Sequence, residues 1–311
     1  IWKEANKRFD EYGNDKEVGT NGFYAMKAHW SEHPDRDQVW ADAEKARIGD
    51  ERFRREHECE FLIYDETLIS STHLIDMEPQ EPIEKTGQVR WFKRPTPGMT
   101  YMVSLDPAMG TGGDYAAIQV FELPTFEQVG EWHHNTTPMN QQVRILQSIT
   151  KYLHDAIMEK DSSASPQIFY SMENNSIGEA ALLRVMDIGE ENIPGMFLSE
   201  PIRKGHRRKF RRGFNTTAKH KIDACTKFKE LVENNKMKIN SHLLISELKD
   251  FVASGMSFSA KAGQHDDLVS SCLLMTRMIK TLADFDPKIF EKWTDRTSEL
   301  APMPIYGSFT G

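Results

Sequence analysis

Cysteine is scarce in this sequence. Only Cys59, Cys225 and Cys272 occur in 311 residues, and none belongs to a C-x-x-C pair. That usage argues against a structural zinc site and for a reducing compartment. Long apolar runs are missing too: nothing approaches the roughly 20 residues a membrane helix needs. The opening Ile1-Trp-Lys-Glu-Ala-Asn-Lys-Arg8 has no signal-peptide form, so no membrane partner is expected. No Met stands at position 1, which reads as a piece of something longer. Positive charge is not in excess either. A net charge of −8 offers no global attraction to nucleic acid, so any DNA contact must come from a local patch. Two motifs fall short. Gly110-Thr-Gly112-Gly113-Asp-Tyr115 lacks the third glycine of G-x-G-x-x-G and leads into a strand pattern rather than a helix. His57-Glu58 lacks the second histidine of H-E-x-x-H.

What is present is a chain long enough for about two domains, and 39% apolar residues suffice for a real core. Residues 1–70 read as charged and largely helical, with helices over 1–12, 35–47 and 50–61. Residues 71–98, with Glu78-Pro-Gln-Glu-Pro82 and Arg94-Pro-Thr-Pro97, read as a linker. From 99 to 283 the pattern is that of a folding unit. Strands near 100–105, 115–122 and 127–133 form an antiparallel meander. A helix over 140–159, a strand over 167–172, a helix over 177–186 and a strand over 195–198 follow. The spacing then predicts a helix over 217–234, a strand over 236–240, a helix over 241–253, a strand over 256–259 and a helix over 264–282. The sum is an α/β mixed sheet with helices on both faces. Residues 284–311, polar and proline-containing, read as a loosely packed tail.

Three acidic positions share one situation. Asp106 ends the first meander strand, and Glu173 follows the apolar strand over 167–172. Asp266 and Asp267 open the last helix. Each has an ordinary explanation: a turn aspartate, a surface acid, a helix cap. Capping accounts for one aspartate of the pair and less well for both. Brought together, such carboxylates repel and raise one another's pKa unless cations neutralise them. Hard oxygen ligands of this kind suit Mg²⁺ or Mn²⁺, and two ions about 3.5–4 Å apart can drive phosphodiester hydrolysis. Asp267 is expected to face the metals, with Asp266 beside or behind it. Arg203-Lys204-Gly-His-Arg207-Arg208-Lys209-Phe-Arg211-Arg212 is the one dense basic run. Beside a phosphodiester site it reads as a phosphate contact rather than only a solvated loop, with Lys219 and Lys221 extending the track. Asp114 and His265 adjoin the acids and are candidates for supporting roles behind the ligands.

At this point the chain resembles a known family, the large terminase subunits that package DNA in tailed bacteriophages. The resemblance is carried by Ser104-Leu-Asp-Pro-Ala-Met-Gly-Thr-Gly-Gly-Asp-Tyr115, Met172-Glu-Asn-Asn-Ser-Ile-Gly178 and Gly263-Gln-His-Asp-Asp-Leu-Val269. These are similar to the three acidic motifs of the family's nuclease domain and lie in the same order, over about 95–282. The resemblance implies an RNase H-like fold and a nuclease that cuts double-stranded DNA with little sequence preference. It maps the ligands of two ions, Mg²⁺ or Mn²⁺, to Asp106, Glu173 and Asp267. Residues 1–70 resemble the end of the family's ATPase domain. The G-x-x-x-x-G-K-[ST] loop is absent, so the motor half is expected upstream of Ile1. Expected partners are DNA, the chain's own ATPase domain, the portal protein of the procapsid and the small terminase subunit, in the host cytoplasm during virus assembly. The rival expectations are a Holliday-junction resolvase of the same fold and a non-catalytic DNA-binding or assembly module.

Overall fold

The computed structural model describes residues 18–19, 22–24, 26, 28–59, 67–175, 177–200, 212–255 and 257–285. The chain divides into two compact units, residues 1–64 and 65–311. In the first, a 3-10 turn at Trp30–Glu32 precedes helices α1 (Gln38–Ile48) and α2 (Asp50–His57). Asp37 caps α1 by accepting the Trp40 N–H at 2.8 Å. Trp30, Trp40, Phe53 and His57 pack as a small aromatic core, their contacting rings 5.1–6.2 Å apart. The helix expected over 50–61 ends at His57, and the one expected over 1–12 lies outside the described residues.

The second unit begins with α3 (Ser71–Asp76) and two short strands, β1 (Glu84–Thr86) and β2 (Val89–Trp91). The linker expected over 71–98 is thereby corrected. Its prolines flank the strands rather than dissolving them, and Val89 and Trp91 bury alternately as a half-buried strand requires. Trp91 stacks on Tyr152 with ring centroids 4.3 Å apart. Gly130 lies opposite Trp91, where a Cβ would fall 2.7 Å from the indole.

The meander follows as β3 (Thr100–Asp106), β4 (Ala116–Leu123) and β5 (Glu127–His134). Next come α4 (Met139–Lys160), β6 (Gln167–Met172), α5 (Gly178–Ile188) and β7 (Met196–Phe197). The sheet order is β1-β2-β5-β4-β3-β6-β7, with β6 parallel to β3 and β7 parallel to β6. Helices α6 (Ala218–Glu233), α7 (His242–Asp250) and α8 (Asp267–Phe285) complete the unit. Tyr101, Val103 and Leu105 of β3 belong to the core cluster with Val143, Leu146 and Ile149 of α4. Ser104, of the opposite parity, meets Ser271 of α8, so helices cover both faces.

Two expectations in this half need correction. Residues 236–240 form no strand; Lys238 makes one isolated bridge to Glu127 before the chain turns to cap α7. The helix expected to reach 253 stops at Asp250, where β8 (Phe251–Ser254) pairs with β9 (Ser257–Ala260) in a separate hairpin. The tail from 286 onward lies outside the described residues.

Candidate active site

The central strands β3 and β4 are buried up to their ends. β3 is buried from Thr100 to Leu105 and opens only at Asp106. In the parallel pairing Leu105 lies beside Met172, and the Glu173 N–H donates to the Leu105 carbonyl at 3.1 Å. Asp106 and Glu173 therefore leave the sheet side by side. On the far side Glu173 bridges Phe214 in parallel, and the Asn174 N–H donates to the Phe214 carbonyl at 2.7 Å. Gly178 closes the turn after Glu173: a Cβ there would overlap the Glu173 carbonyl at 1.8 Å. Asn175 accepts the N–H groups of Ile177 and Gly178 at 3.0 and 2.8 Å, tying that turn to the start of α5.

Asp267 comes from the other direction, as the first residue of α8. Its separation from Asp106 is governed by a reciprocal serine pair. The Ser104 hydroxyl donates to the Ser271 carbonyl at 2.8 Å, and the Ser271 hydroxyl donates to the Ser104 carbonyl at 3.0 Å. Both serines are fully buried. The turn after Asp106 is steadied by Gln142, whose amide accepts the Ala108 N–H at 3.3 Å and donates to the Ala108 carbonyl at 2.7 Å.

The electrostatics follow from this convergence. Burial first, then repulsion from Glu173 and a hydrogen bond shared with it, then Asp267 and Asp266, hold the Asp106 carboxyl well above the ordinary range. Burial pushes Asp267 up to about 6. The Tyr115 N–H, 3.4 Å away, and His265 pull it down, while Asp266 and Asp114 push it further up. Carboxylates brought together in this way repel unless a proton or a cation neutralises them. The donor set is all oxygen, which fits a hard divalent ion. Among the described residues, no three His, Cys, Asp or Glu side chains already stand arranged as a metal cage. Asp106 and Glu173 stand at adjacent strand ends, and Asp267 and Asp266 act on Asp106 through charge.

The other expected site residues divide into groups. Asp114 is exposed, and His265 stands 3.6 Å from Asp267 with its ring edge-on to Tyr115. Lys221 lies 3.7 Å from Asp266 and over the Phe251 ring. It is thus a partner of the acids. Lys219 is exposed. Arg212 is paired to Glu190 and lies over Phe197, and Arg203, Lys204, Arg207, Arg208, Lys209 and Arg211 fall outside the described residues.

Sequence reasoning missed two residues. Arg277 reaches from α8 to Glu200, to the Thr216 hydroxyl at 3.1 Å and to the Asn215 carbonyl at 3.0 Å. It thereby ties both ends of the basic segment to the helix that carries Asp267. Glu247 on α7 accepts the Leu268 and Val269 N–H groups at 2.9 and 3.1 Å. Burial, ahead of all else, pushes its carboxyl up to about 9. Neither residue sits in a recognisable motif; each finds its partner only through the fold.

Against known proteins, the family model described as the Terminase RNaseH-like domain matches residues 103–278, more than half of the chain. The solved structure of the large terminase nuclease from thermophilic phage G20c is 17% identical. It matches over 68% of this chain and 97% of its own length, with a TM-score of 0.50. The same nuclease solved with bound magnesium and with bound cobalt matches equally, at 17% identity, the same coverage and a TM-score of 0.50 in each case. At that identity the likeness establishes the fold, a mixed seven-stranded RNase H-like sheet.

Proposed function

This chain belongs to the terminase RNaseH-like domain family, and from that premise we propose that it is the cutting half of a viral genome-packaging motor. Its substrate is concatemeric double-stranded DNA, cleaved with little sequence preference by two-metal phosphodiester hydrolysis. One observation carries the reading: Asp106 and Glu173 leave the sheet side by side at paired strand ends, and burial with like charge from Glu173, Asp267 and Asp266 holds the Asp106 carboxyl well above its ordinary range.

Asp106, Glu173 and Asp267, with Asp266 beside them, would hold divalent ions of the Mg²⁺ or Mn²⁺ kind. When bound, such ions supply a nucleophile at neutral pH and neutralise charge on the phosphodiester oxygens. The chain's own residues do the rest. The Ser104–Ser271 pair keeps the strand-borne and helix-borne ligands in register. Gln142 fixes the turn behind Asp106. His265, at the rim beside Asp267, is placed to hydrogen-bond a phosphate oxygen or water. Lys219 and the basic run over 203–212 supply backbone contacts that position the duplex without reading its sequence.

Residues 1–70 are on this reading the end of an ATPase domain whose motor half lies upstream. The working assembly adds the portal protein and the small terminase subunit in the host cytoplasm. The test is Mn²⁺ titration by calorimetry alongside plasmid nicking, with wild type and Asp106→Asn. We expect binding and nicking in wild type and neither in the variant; a wild-type chain that binds no Mn²⁺ sinks the reading. Preference for four-way junctions over linear duplex would point instead to a resolvase.

A further inference from the structure

The start of α8 raises a question of supply. A helix leaves its first N–H groups without partners inside the helix, and an aspartate at the N-cap ordinarily turns back to accept those of the second and third helical residues. Asp266 is in the N-cap position: its carbonyl accepts the Ser270 N–H at 2.7 Å. The second and third helical N–H groups are those of Leu268 and Val269, and both donate to Glu247 on another helix. The Asp266 carboxylate instead lies 3.7 Å from Lys221, and that of Asp267 takes the Tyr115 N–H.

We propose that Glu247 is the positioning residue of the carboxylate centre: it caps α8 from α7 and so frees both aspartates to face the metals. This rests on the reading of Asp106, Glu173 and Asp267 as metal ligands.

Glu247 is itself held from the sheet. The hydroxyl of Ser241, the N-cap of α7, accepts the Leu243 and Leu244 N–H groups and donates to Glu131 of β5 at 2.6 Å. Gln128, also of β5, accepts the backbone N–H groups of Asn240 and Ser241 at 2.9 and 2.8 Å. The start of α7 is therefore anchored to β5, and α7 carries that anchorage one helix further, to α8. The second oxygen of Glu247 is buried and makes no hydrogen bond, facing His133 Nε2 at 3.6 Å, which also makes none. His133 stacks on Tyr115 at 4.1 Å, and Tyr115 supplies the N–H to Asp267.

This arrangement predicts an asymmetry between two substitutions. A glutamine at 247 keeps an oxygen for the two amides and offers an N–H toward His133. An alanine keeps neither.

The experiment uses the full chain and compares wild type, Glu247→Ala and Glu247→Gln in two measurements. One is Mn²⁺ affinity by calorimetry. The other is amide hydrogen exchange at Leu268 and Val269 without metal. For Glu247→Ala we expect Mn²⁺ affinity to fall about tenfold or more, the scale on which supporting residues act on a metal site, and exchange at both amides to accelerate. Glu247→Gln should stay near wild type in both. Glu247→Ala at wild-type affinity overturns the proposal. So does a Glu247→Gln that loses Mn²⁺ as badly as the alanine variant, since that would make the charge itself a ligand. If Glu247→Ala fails to fold, Glu247→Gln decides alone by the same criterion. A wild-type chain without Mn²⁺ affinity overturns the metal reading first, and is recognised because the exchange measurement still reports on the cap.

Discussion

The sheet buries acids at two places and treats them in opposite ways. At the β4–β5 end, Glu122 and Glu131 are almost wholly buried, and each has a protein cation. Lys93 reaches Glu122 at 2.5 Å and Glu127 at 2.8 Å, Lys238 reaches Glu127 at 2.8 Å, and Arg90 reaches Glu131 at 2.9 Å. Burial raises Glu127, but the two lysines outweigh it and leave its carboxyl below the ordinary range. At the other end, where β3, β6 and α8 meet, Asp106 goes the opposite way. One lysine stands at the rim, against Asp266. Arg277 acts on Glu173 through charge, its hydrogen bonds going to Glu200, Thr216, Asn215 and His220. A fold able to neutralise buried acids from its own residues does so where they serve architecture. At Asp106 burial and neighbouring acids set the shift, and the proposed metal ions would relieve it.

The comparison breaks most easily at Asp106. Asp106→Asn should abolish Mn²⁺-dependent plasmid nicking while the metal-free melting temperature stays level or rises, because repulsion is relieved. Added Mn²⁺ should stabilise wild type and not this variant, as read by thermal scans. Retained nicking would end the argument for the site. At the architectural end the same logic inverts. Lys93→Met strips Glu122 of its cation and should cost roughly 3 kcal/mol by urea denaturation, while Mn²⁺ affinity is unchanged.

A pH series sharpens the contrast. Asp267 has a folded pKa of about 6 against 3.8 ordinarily, so the folded state binds more protons than the unfolded between those values. The Asp267 contribution to stability in chelator must therefore fall as pH rises from about 4 to about 6, by on the order of 3 kcal/mol. Asp267→Asn should reduce that slope in urea titrations at each pH, leaving the share of Asp106 and Glu247, whose carboxyls are raised as well. The smallest effect belongs to the serine pair. Ser271→Ala leaves a buried serine partner short of a bond and should cost about 1–2 kcal/mol, with a measurable drop in Mn²⁺ affinity as Asp267 loses its register.

Much of the acid end was legible before any fold was known. Asp106 and Glu173 each terminate an apolar run, and a carboxylate in that setting asks for a partner. Asp266-Asp267 doubled what a cap requires, and the surplus acid was the signal. What resisted reading depends on contacts between distant segments. Glu247 looks like one polar residue of an amphipathic helix until α8 lies beside it. Arg277 sits in an apolar stripe, and its partners lie some sixty or more residues earlier in the chain. β1 and β2 were hidden by surrounding prolines, because local punctuation outweighed the burial of Val89 and Trp91. Lys221 and Arg212 counted as free positive charge in the sequence, and only the fold shows the acids that hold them.

The serine pair carries a consequence for control. Because Asp106 and Asp267 hang from a strand and a helix locked to each other at a buried clasp, parting them means rupturing two interior bonds at once. On the proposed reading, an off state made by pulling those two acids apart would be expensive to enter. Restraint during packaging therefore has an easier route in deciding when the duplex is let near the carboxylates.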